Sequence, residues 1–250
     1  MKLEGEGQFS QVETGEGLVA LNFSTLRGIG NGGYGAVYEI QGTIEGRSCK
    51  FAIKDYSKGN LPKHKPHEAV NAHIALESAG CKTLPTYQLI EEGGTQILMT
   101  LHDPDVFFII DGKATFKGFN LVEAPEEEKA DVIENFDVFI DDFFHQPILA
   151  GRAGCEFKAL DVFHFTVDKE TKSKADFWLG DLDLVGLPSR NHSDDEKLEI
   201  IKKNIRGCKE IMETFLNKEI KGEMKAEYLS ITKAKYDALS KEDDSTLLSD

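Results

Sequence analysis

The sequence contains no apolar run that approaches the roughly 18 residues of a membrane-spanning helix. Its opening stretch, MKLEGEGQFS, lacks the apolar core of a secretion signal. Basic residues are in deficit, with 29 Lys and Arg against 44 Asp and Glu and a net charge of −15. An acidic chain repels nucleic-acid phosphate and anionic lipid. We therefore expect no nucleic-acid partner, no membrane partner and a cytoplasmic location.

Cysteine is scarce, and its spacing excludes the common metal and redox motifs. The four cysteines are far apart and form neither a CxxC pair nor a zinc-ligand pattern. Buried thiols in a reducing cytosol are the simplest interpretation. The remaining composition is that of an ordinary globular protein, with 40% hydrophobic residues in a chain of 250. This length suits one large domain or two small lobes.

Glycine, in contrast, is concentrated in the stretch GIGNGGYGAVYEI, which begins at Gly28. The pattern G-x-G-x-x-G occurs there in two registers, one from Gly28 to Gly33 and one from Gly30 to Gly35. A dinucleotide-binding loop must open a helix, whereas the residues AVYEI that follow favour a strand. A P-loop needs Gly-Lys-Ser/Thr, which is absent. A glycine loop between two strands is the arrangement that covers ATP phosphates in protein kinases, and it favours the second register.

The next strand and helix supply two further parts of the same pattern. FAIK, ending at Lys54, matches the V-A-I-K strand whose lysine holds the α- and β-phosphates. Glu68, in HEAVNAHIAL, is the best candidate to pair with that lysine, and Glu77 is the second. A glycine-rich hairpin with a surface lysine is the structural alternative. Because the three parts occur in the expected order, the first hundred residues resemble a protein-kinase N-lobe.

The resemblance implies an α+β, two-lobed protein kinase-like fold. Its N-lobe has an antiparallel sheet plus one helix, and its reduced C-lobe is mainly helical. We expect an N-terminal extension over 1–20, the N-lobe over 21–101, the C-lobe over 102–239 and a disordered tail over 240–250. ATP would contact residues of the glycine loop, of two strands and of the hinge: Ile29, Gly30, Gly32, Gly35, Val37, Ala52, Lys54, Met99, Thr100 and His102. Met99 would lie behind the adenine.

The C-terminal half matches the kinase motifs less well. GDLDL resembles D-F-G, with Asp181 as the ligand of Mg²⁺ or Mn²⁺ and Asp183, in place of the glycine, adding a second carboxylate. H-R-D is absent. Placing Asp161 on the catalytic aspartate puts Thr166 at the position of the metal-binding asparagine, whereas aligning HFTVD with the following strand puts His164 there.

These two alignments remain open from the sequence. Asp161 and His164 form a D-x-x-H pair of the kind found in some atypical kinases. The structural alternative is that Asp161 caps a loop and His164 is an ordinary strand residue. A carboxylate within reach of the acceptor hydroxyl is the physical requirement for the first role.

The segment after GDLDL is unusually short. Only VGLPSRNHS separates it from the next helix, and A-P-E is absent. The chain therefore resembles compact kinases without an activation loop, such as the small effector kinases that bacteria inject into host cells. The resemblance implies activation by a bound partner, and a host cytosol as the location if the chain is such an effector.

Periodicity predicts the remaining elements. Strands are expected over 21–56, a helix from Pro66 to a stop at Gly80, and a hairpin around Glu92 to Gly94. An amphipathic helix is expected over 126–145, a hairpin over 162–184, and a long helix that begins at a capping box. The box is formed by Ser193 and Glu196.

The sequence thus predicts an atypical Ser/Thr protein kinase. Asp161 would be the catalytic base, Lys54 would be held by Glu68, and ATP and a protein substrate or activating protein would be the partners. Two alternatives are a catalytically inactive nucleotide-binding pseudokinase or scaffold, favoured by the missing H-R-D, and a kinase of small molecules, favoured by the missing A-P-E.

Overall fold

The computed structural model describes residues 9–14, 17–31, 35–44, 46–55, 66–84, 86–90, 96–102, 107–110, 126, 129–158, 162–168, 173–180, 182, 185–186 and 192–249. The chain forms two compact units. The first comprises Met1–Val70 and Leu84–Asp105, and the second comprises Asn71–Thr83 and Val106–Asp250.

The first unit is built on a six-stranded sheet with the order β1-β2-β3-β4-β6-β5. All neighbouring strands are antiparallel. The strands are β1 (Phe9–Thr14), β2 (Gly17–Asn31), β3 (Ala36–Ile44), β4 (Arg47–Asp55), β5 (Thr86–Ile90) and β6 (Gln96–His102). The expected strands over 21–56 and the expected hairpin of β5 and β6 are therefore confirmed.

Alternation along β4 sets the two faces of this sheet. Phe51 and Ile53 are fully buried, whereas the intervening Ala52 and Lys54 are only partly buried. Phe51 stands opposite Ile40 of β3, which is fully buried as well. One face of the sheet therefore carries the apolar core of this unit, as period-2 patterning requires.

Helix α1 (Pro66–Ser78) begins in the first unit and ends in the second. It starts at Pro66, whose missing N–H costs nothing in a first turn. It is followed by Gly80 with φ of +82°, the left-handed backbone that favours glycine after a helix. The predicted start and stop are both confirmed.

The second unit contains most of the helices and two small sheets. A three-stranded sheet has the order β10-β9-β7, and a two-stranded sheet pairs β11 with β8. Its strands are β7 (Phe107–Ile110), β8 (Glu156–Phe157), β9 (Phe163–Asp168), β10 (Ala175–Leu179) and β11 (Val185–Gly186). The helices are α2 (Phe136–Arg152), α3 (Asp194–Glu219), α4 (Met224–Leu239) and α5 (Asp244–Leu248).

Phenylalanine rings fill the core between these elements. Phe143 of α2 lies 5.4 Å from the rings of both Phe165 and Phe177, and Phe165 stacks on Phe215 of α3 at 4.6 Å. The predicted hairpin of β9 and β10 supplies two of these rings. The α+β class is confirmed, with an antiparallel sheet in the N-terminal part and a mainly helical C-terminal part.

The predicted helix over 126–145 is wrong at both ends, because α2 runs from Phe136 to Arg152. Ala130 forms a parallel bridge with Ile220, and the amide of Glu134 donates to the carbonyl of Ser173 at 2.7 Å. These long-range backbone bonds compete with helical ones. Val132, which the apolar period of a helix over 126–145 would place on its buried face, is 37% exposed.

The C-terminal region also differs from expectation. The tail expected to be disordered contains α5, whose Leu247 is buried. Arg152 donates from Nε to the carbonyl of Leu247 at 2.8 Å and from Nη2 to the carbonyl of Thr246 at 3.2 Å. Helix α4 was not predicted at all, nor was strand β1 within the expected N-terminal extension. Within the part of the chain described here, no helix is long and apolar enough to cross a bilayer.

Candidate functional site

A row of paired residues crosses the sheet of the first unit at the predicted nucleotide site. Gly30 stands opposite Val37, Val37 opposite Lys54, and Lys54 opposite Leu98. Directly opposed residues of antiparallel strands lie on the same face. Three predicted ATP-contacting positions, Gly30, Val37 and Lys54, therefore share one face of the sheet.

The neighbouring row on this face contains two more predicted positions. Ala52 stands opposite Glu39 on one side and Thr100 on the other. Between the rows, Ile53 is fully buried on the opposite, core-facing side. Lys54 therefore lies on the face opposite the apolar core, where the side chains of Val37, Ala52 and Lys54 are partly buried.

The strand register puts Met99, predicted to lie behind the adenine, and Thr100, predicted to begin the hinge, on opposite faces of the sheet. Met99 pairs with Ile53, whereas Thr100 pairs with Ala52 and His102 with Lys50. By strand alternation, Thr100 and His102 belong to the face of Lys54, and Met99 belongs to the other. The placement of Met99 behind the adenine and the hinge at 100–102 stay predictions.

The glycine stretch lies between two antiparallel strands, as the sequence predicts. Strand β2 ends at Asn31 and β3 begins at Ala36, with Gly35 buried immediately before it. The pairing shifts between Gly28 and Gly30, so Ile29 occupies a β-bulge, which bends a strand locally. Gly32 lies outside the described residues.

The two candidate partners of Lys54 lie at opposite ends of α1. Glu68 is partly buried in the first turn, within the same unit as Lys54. Glu77 is exposed in the second unit, with its carboxylate 3.7 Å from Nε2 of His73. Pairing of Glu68 with Lys54 stays a prediction.

In the second unit, a backbone hydrogen bond joins the two predicted catalytic segments. The amide of Gly180 donates to the carbonyl of Val162 at 2.8 Å. Val162 directly follows Asp161, and Gly180 directly precedes Asp181. Both aspartates, like Asp183, lie outside the described residues, but the chain points adjoining Asp161 and Asp181 are held together.

His164 stands next to this bond. It is opposite Trp178 in the β9–β10 pairing, and its neighbours Phe163 and Phe165 are both buried in the phenylalanine core. His164 is partly buried and therefore lies on the other face of the hairpin, with Trp178. Among the described residues no three His, Cys, Asp or Glu side chains form a metal-binding group. The metal role of His164 with Asp181 and Asp183 stays a prediction.

The sequence did not indicate a cavity of about 460 Å³ in the second unit. It lies against β8, β11 and the first turns of α3. Four carboxylates, one lysine and one histidine are among its lining residues: Gly154, Glu156, Lys158, Gly186, His192, Asp195, Glu196, Glu199 and Ile200. Glu156 is paired with Lys203. Hydrogen bonds from the backbone and side chain of Ser193 lower the pKa of Glu196.

The buried thiols of the second unit are poor nucleophiles. Burial raises the pKa of Cys81 to about 12 and that of Cys155 to about 11, and it raises the pKa of Cys208 well above the ordinary value. A cysteine attacks as its thiolate. These three thiols are therefore unsuited to covalent catalysis at neutral pH, and their burial is as predicted. Nothing is described of the Cys49 side chain.

Comparison with known proteins assigns no family, since no protein-family model and no curated protein matches the chain. Among solved structures, the chain is similar to the Helicobacter pylori proinflammatory kinase CtkA. The identity is 11%, the match covers 85% of this chain and 91% of that one, and the TM-score is 0.42. A likeness at this level carries no argument about function.

Proposed function

We propose that the chain is an atypical, minimal Ser/Thr protein kinase that transfers phosphate from ATP. The observation that carries the proposal is the row of Gly30, Val37 and Lys54 on the face of the sheet opposite the core, in a glycine-rich stretch between two strands. A site for ATP phosphates needs close backbone approach and a nearby cation, and this row combines both. In the second unit, the hydrogen bond between Gly180 and Val162 joins the residues that adjoin Asp181 and Asp161 in the sequence.

Each residue has a physical role in this proposal. Lys54 binds the α- and β-phosphates, and Glu68 orients it. Asp161 orients the acceptor hydroxyl and accepts its proton. Asp181, assisted by His164 or Asp183, would hold Mg²⁺ or Mn²⁺, which when bound neutralises charge on the phosphates. Positioning and charge neutralisation supply most of the rate in phosphoryl transfer.

The adenine end of the site fits the same face. Ala52 and Thr100 form the row beside Lys54, and Val37 lies in the row of Lys54 itself. Small and apolar side chains such as those of Ala52 and Val37 suit a base, with hinge backbone groups at 100–102 pairing with its edge.

A catalytically inactive nucleotide-binding protein is the second candidate, because H-R-D and the metal-binding asparagine are missing from the sequence. A kinase of small molecules is the third, because the chain has no A-P-E region.

The decisive experiment is incubation with radiolabelled ATP and Mg²⁺ or Mn²⁺, with the protein itself and a generic protein as acceptors. Lys54→Ala, Asp161→Ala and Asp181→Ala should each abolish transfer. Lys50→Ala, on the same strand and face as Lys54, is the matched control and should retain it.

The outcomes separate the candidates. ATP binding without transfer to any acceptor favours the inactive nucleotide-binding protein. Transfer to small molecules and not to protein favours the third candidate. If the wild type does not bind ATP, the assignment of the glycine loop to phosphates is wrong.

A further inference from the structure

Lys82, just after α1, makes an unusual set of contacts with strand β10. Its ammonium group pairs with the carboxylate of Asp176. The same nitrogen lies over the ring of Trp178, 4.6 Å from the centroid, and 5.4 Å from the centroid of Phe177. One side chain thus contacts three consecutive residues of the strand, by an ion pair and by cation–π interactions.

The backbone of Lys82 is fixed as well. Its amide donates to Oε1 of Gln146 at 2.8 Å, and its carbonyl accepts from the amide of Leu179 at 2.8 Å. Thr83 continues this contact as a parallel bridge to Leu179. Gln146 is itself buried in α2. Lys82 therefore ties the C-terminal end of β10 to α2 and to the segment that follows α1.

The end of β10 is the part of the strand that leads to the predicted metal ligand. Leu179, bound by the Lys82 carbonyl, is followed by Gly180, whose amide binds Val162, and then by Asp181. A shift of β10 along its axis would break these two hydrogen bonds together. The contacts of Lys82 oppose such a shift at Asp176, Trp178 and Leu179.

We propose that Lys82 is a positioning residue that fixes the end of β10, which is followed in the sequence by Gly180 and the predicted metal ligand Asp181. The metal-binding consequence rests on the proposed function, whereas the fixing of β10 does not. Outer groups that orient a metal ligand typically change metal affinity by about 10- to 100-fold when they are removed. An exposed ion pair alone contributes little, so the effect depends on the combination of charge, ring contact and backbone bonds.

The test compares Lys82→Met, which keeps the length of the stem without the charge, with Lys82→Arg, which keeps the charge. Asp176→Asn is a second, isosteric way to remove the ion pair if Lys82→Met fails to fold. Lys235→Met is the matched control: Lys235 pairs with Asp141 between α4 and α2, and its side chain is 35% exposed against 34% for Lys82.

Two measurements are made on every folded variant. The rate of amide hydrogen exchange at Leu179 and Gly180, measured without ligand, reports whether the end of β10 is held in place. Titration of Mn²⁺ in the presence of ADP, by electron paramagnetic resonance, reads the metal site. Fluorescence of Trp178 is an additional probe, because the chain has only 1 tryptophan.

We expect Lys82→Met and Asp176→Asn to accelerate exchange at both amides and to weaken Mn²⁺ binding at least about tenfold. Binding of ADP without metal should not change in these variants. Lys82→Arg should keep wild-type amide exchange and wild-type Mn²⁺ affinity, and Lys235→Met should alter neither. A lower melting temperature with unchanged exchange and unchanged Mn²⁺ affinity would overturn the proposal. If the wild type binds neither Mn²⁺ nor ADP, the proposed function is wrong, and so is the predicted effect on metal binding. Hydrogen exchange alone then decides whether Lys82 fixes β10.

Discussion

Two buried polar side chains in the helices of the second unit differ in whether they are hydrogen-bonded. Asn204 of α3 accepts from the amide of Phe157 at 2.9 Å and donates to the carbonyl of Cys155 at 2.9 Å. Thr232 of α4 is fully buried, but its hydroxyl finds no partner among the described residues. Asn204 therefore joins α3 to β8, whereas the Thr232 hydroxyl carries an uncompensated desolvation cost.

Thr232→Val should raise the free energy of unfolding by about 1 kcal/mol, because it removes the unpaired hydroxyl and keeps the shape of the side chain. Urea denaturation followed by circular dichroism measures the change. Thr232→Ser is the matched control, since it keeps the hydroxyl and loses the methyl group, and it should lower stability. A destabilised Thr232→Val would mean that the hydroxyl is hydrogen-bonded in solution.

At the scale of elements, α2 and α3 cross at Gly151. A methyl group added there would lie 2.4 Å from Cγ1 of Ile201 and 2.9 Å from its backbone nitrogen and Cα. The backbone of α3 cannot yield as a side-chain end can. The contact therefore requires glycine inside a helix, where glycine is otherwise unfavourable.

Gly151→Ala should destabilise the protein by about 1–3 kcal/mol, because the overpacking exceeds the gain in helix propensity of about 1 kcal/mol. Thermal unfolding measures this. Gly28→Ala is the control, since the nearest atoms to its added methyl group are 4.0 Å away on the Tyr38 ring. Equal melting temperatures for the two variants would contradict the close crossing.

The first turn of α3 has a capping box with an electrostatic signature. Ser193 accepts from the amide of Glu196, and the carboxylate of Glu196 accepts from the amide of Ser193 at 2.8 Å. Both the backbone and the side chain of Ser193 lower the pKa of Glu196 by hydrogen bonding to its charged form. A lowered pKa stabilises the folded state above the unfolded pKa and loses that contribution as pH falls through the folded value.

A ¹³C NMR titration of Glu196 should therefore give a pKa below the ordinary value of about 4.3. Ser193→Ala should raise this pKa towards the ordinary value and should destabilise the protein more at neutral pH than in acid. Ser193→Thr keeps the cap and should leave the pKa low. An unchanged pKa in Ser193→Ala would show that the box does not form.

At the scale of the whole molecule, the second unit includes the C-terminal helix α5 and encloses three buried thiols. Leu247 is only 1% exposed, and Lys202 of α3 pairs with Asp244 at 2.8 Å, so the C-terminal helix belongs to the packed structure. Cys81 follows α1, and Cys208 lies in the middle of α3. Their burial means that thiolate formation requires opening of this unit.

Cys81, Cys155 and Cys208 should react with iodoacetamide at pH 8 at least about a hundredfold more slowly in the native protein than in urea, because their raised pKa values leave little thiolate. Mass spectrometry of the alkylated peptides measures each site. Since the folded pKa values are raised, stability should also decline as pH rises above about 8.5. Rapid labelling of any of the three without unfolding would contradict this burial.

Local sequence determined the elements whose signals lie within a few residues. The capping box starts α3 where Ser193 and Glu196 predict it, and Gly80 ends α1 because only a left-handed residue fits there. The strands on either side of the glycine loop follow from their β-branched and aromatic residues, and so does the β9–β10 hairpin. These features, with the order of the glycine loop, Lys54 and Glu68, also led to the predicted nucleotide site.

Tertiary structure decided what depends on distant partners. Helix α2 begins at Phe136 because the backbone before it forms hydrogen bonds with Ser173, Glu219 and Lys221, which no local pattern encodes. Helix α4 buries only Tyr228 and Thr232 among its 16 residues, so its apolar residues give no clear helical period to predict it from. The face on which Met99 lies depends on strand register. The contact between Lys82 and Asp176 of β10 joins residues that are 94 positions apart in the chain. A sequence specifies such pairings only through the free energy of the complete fold.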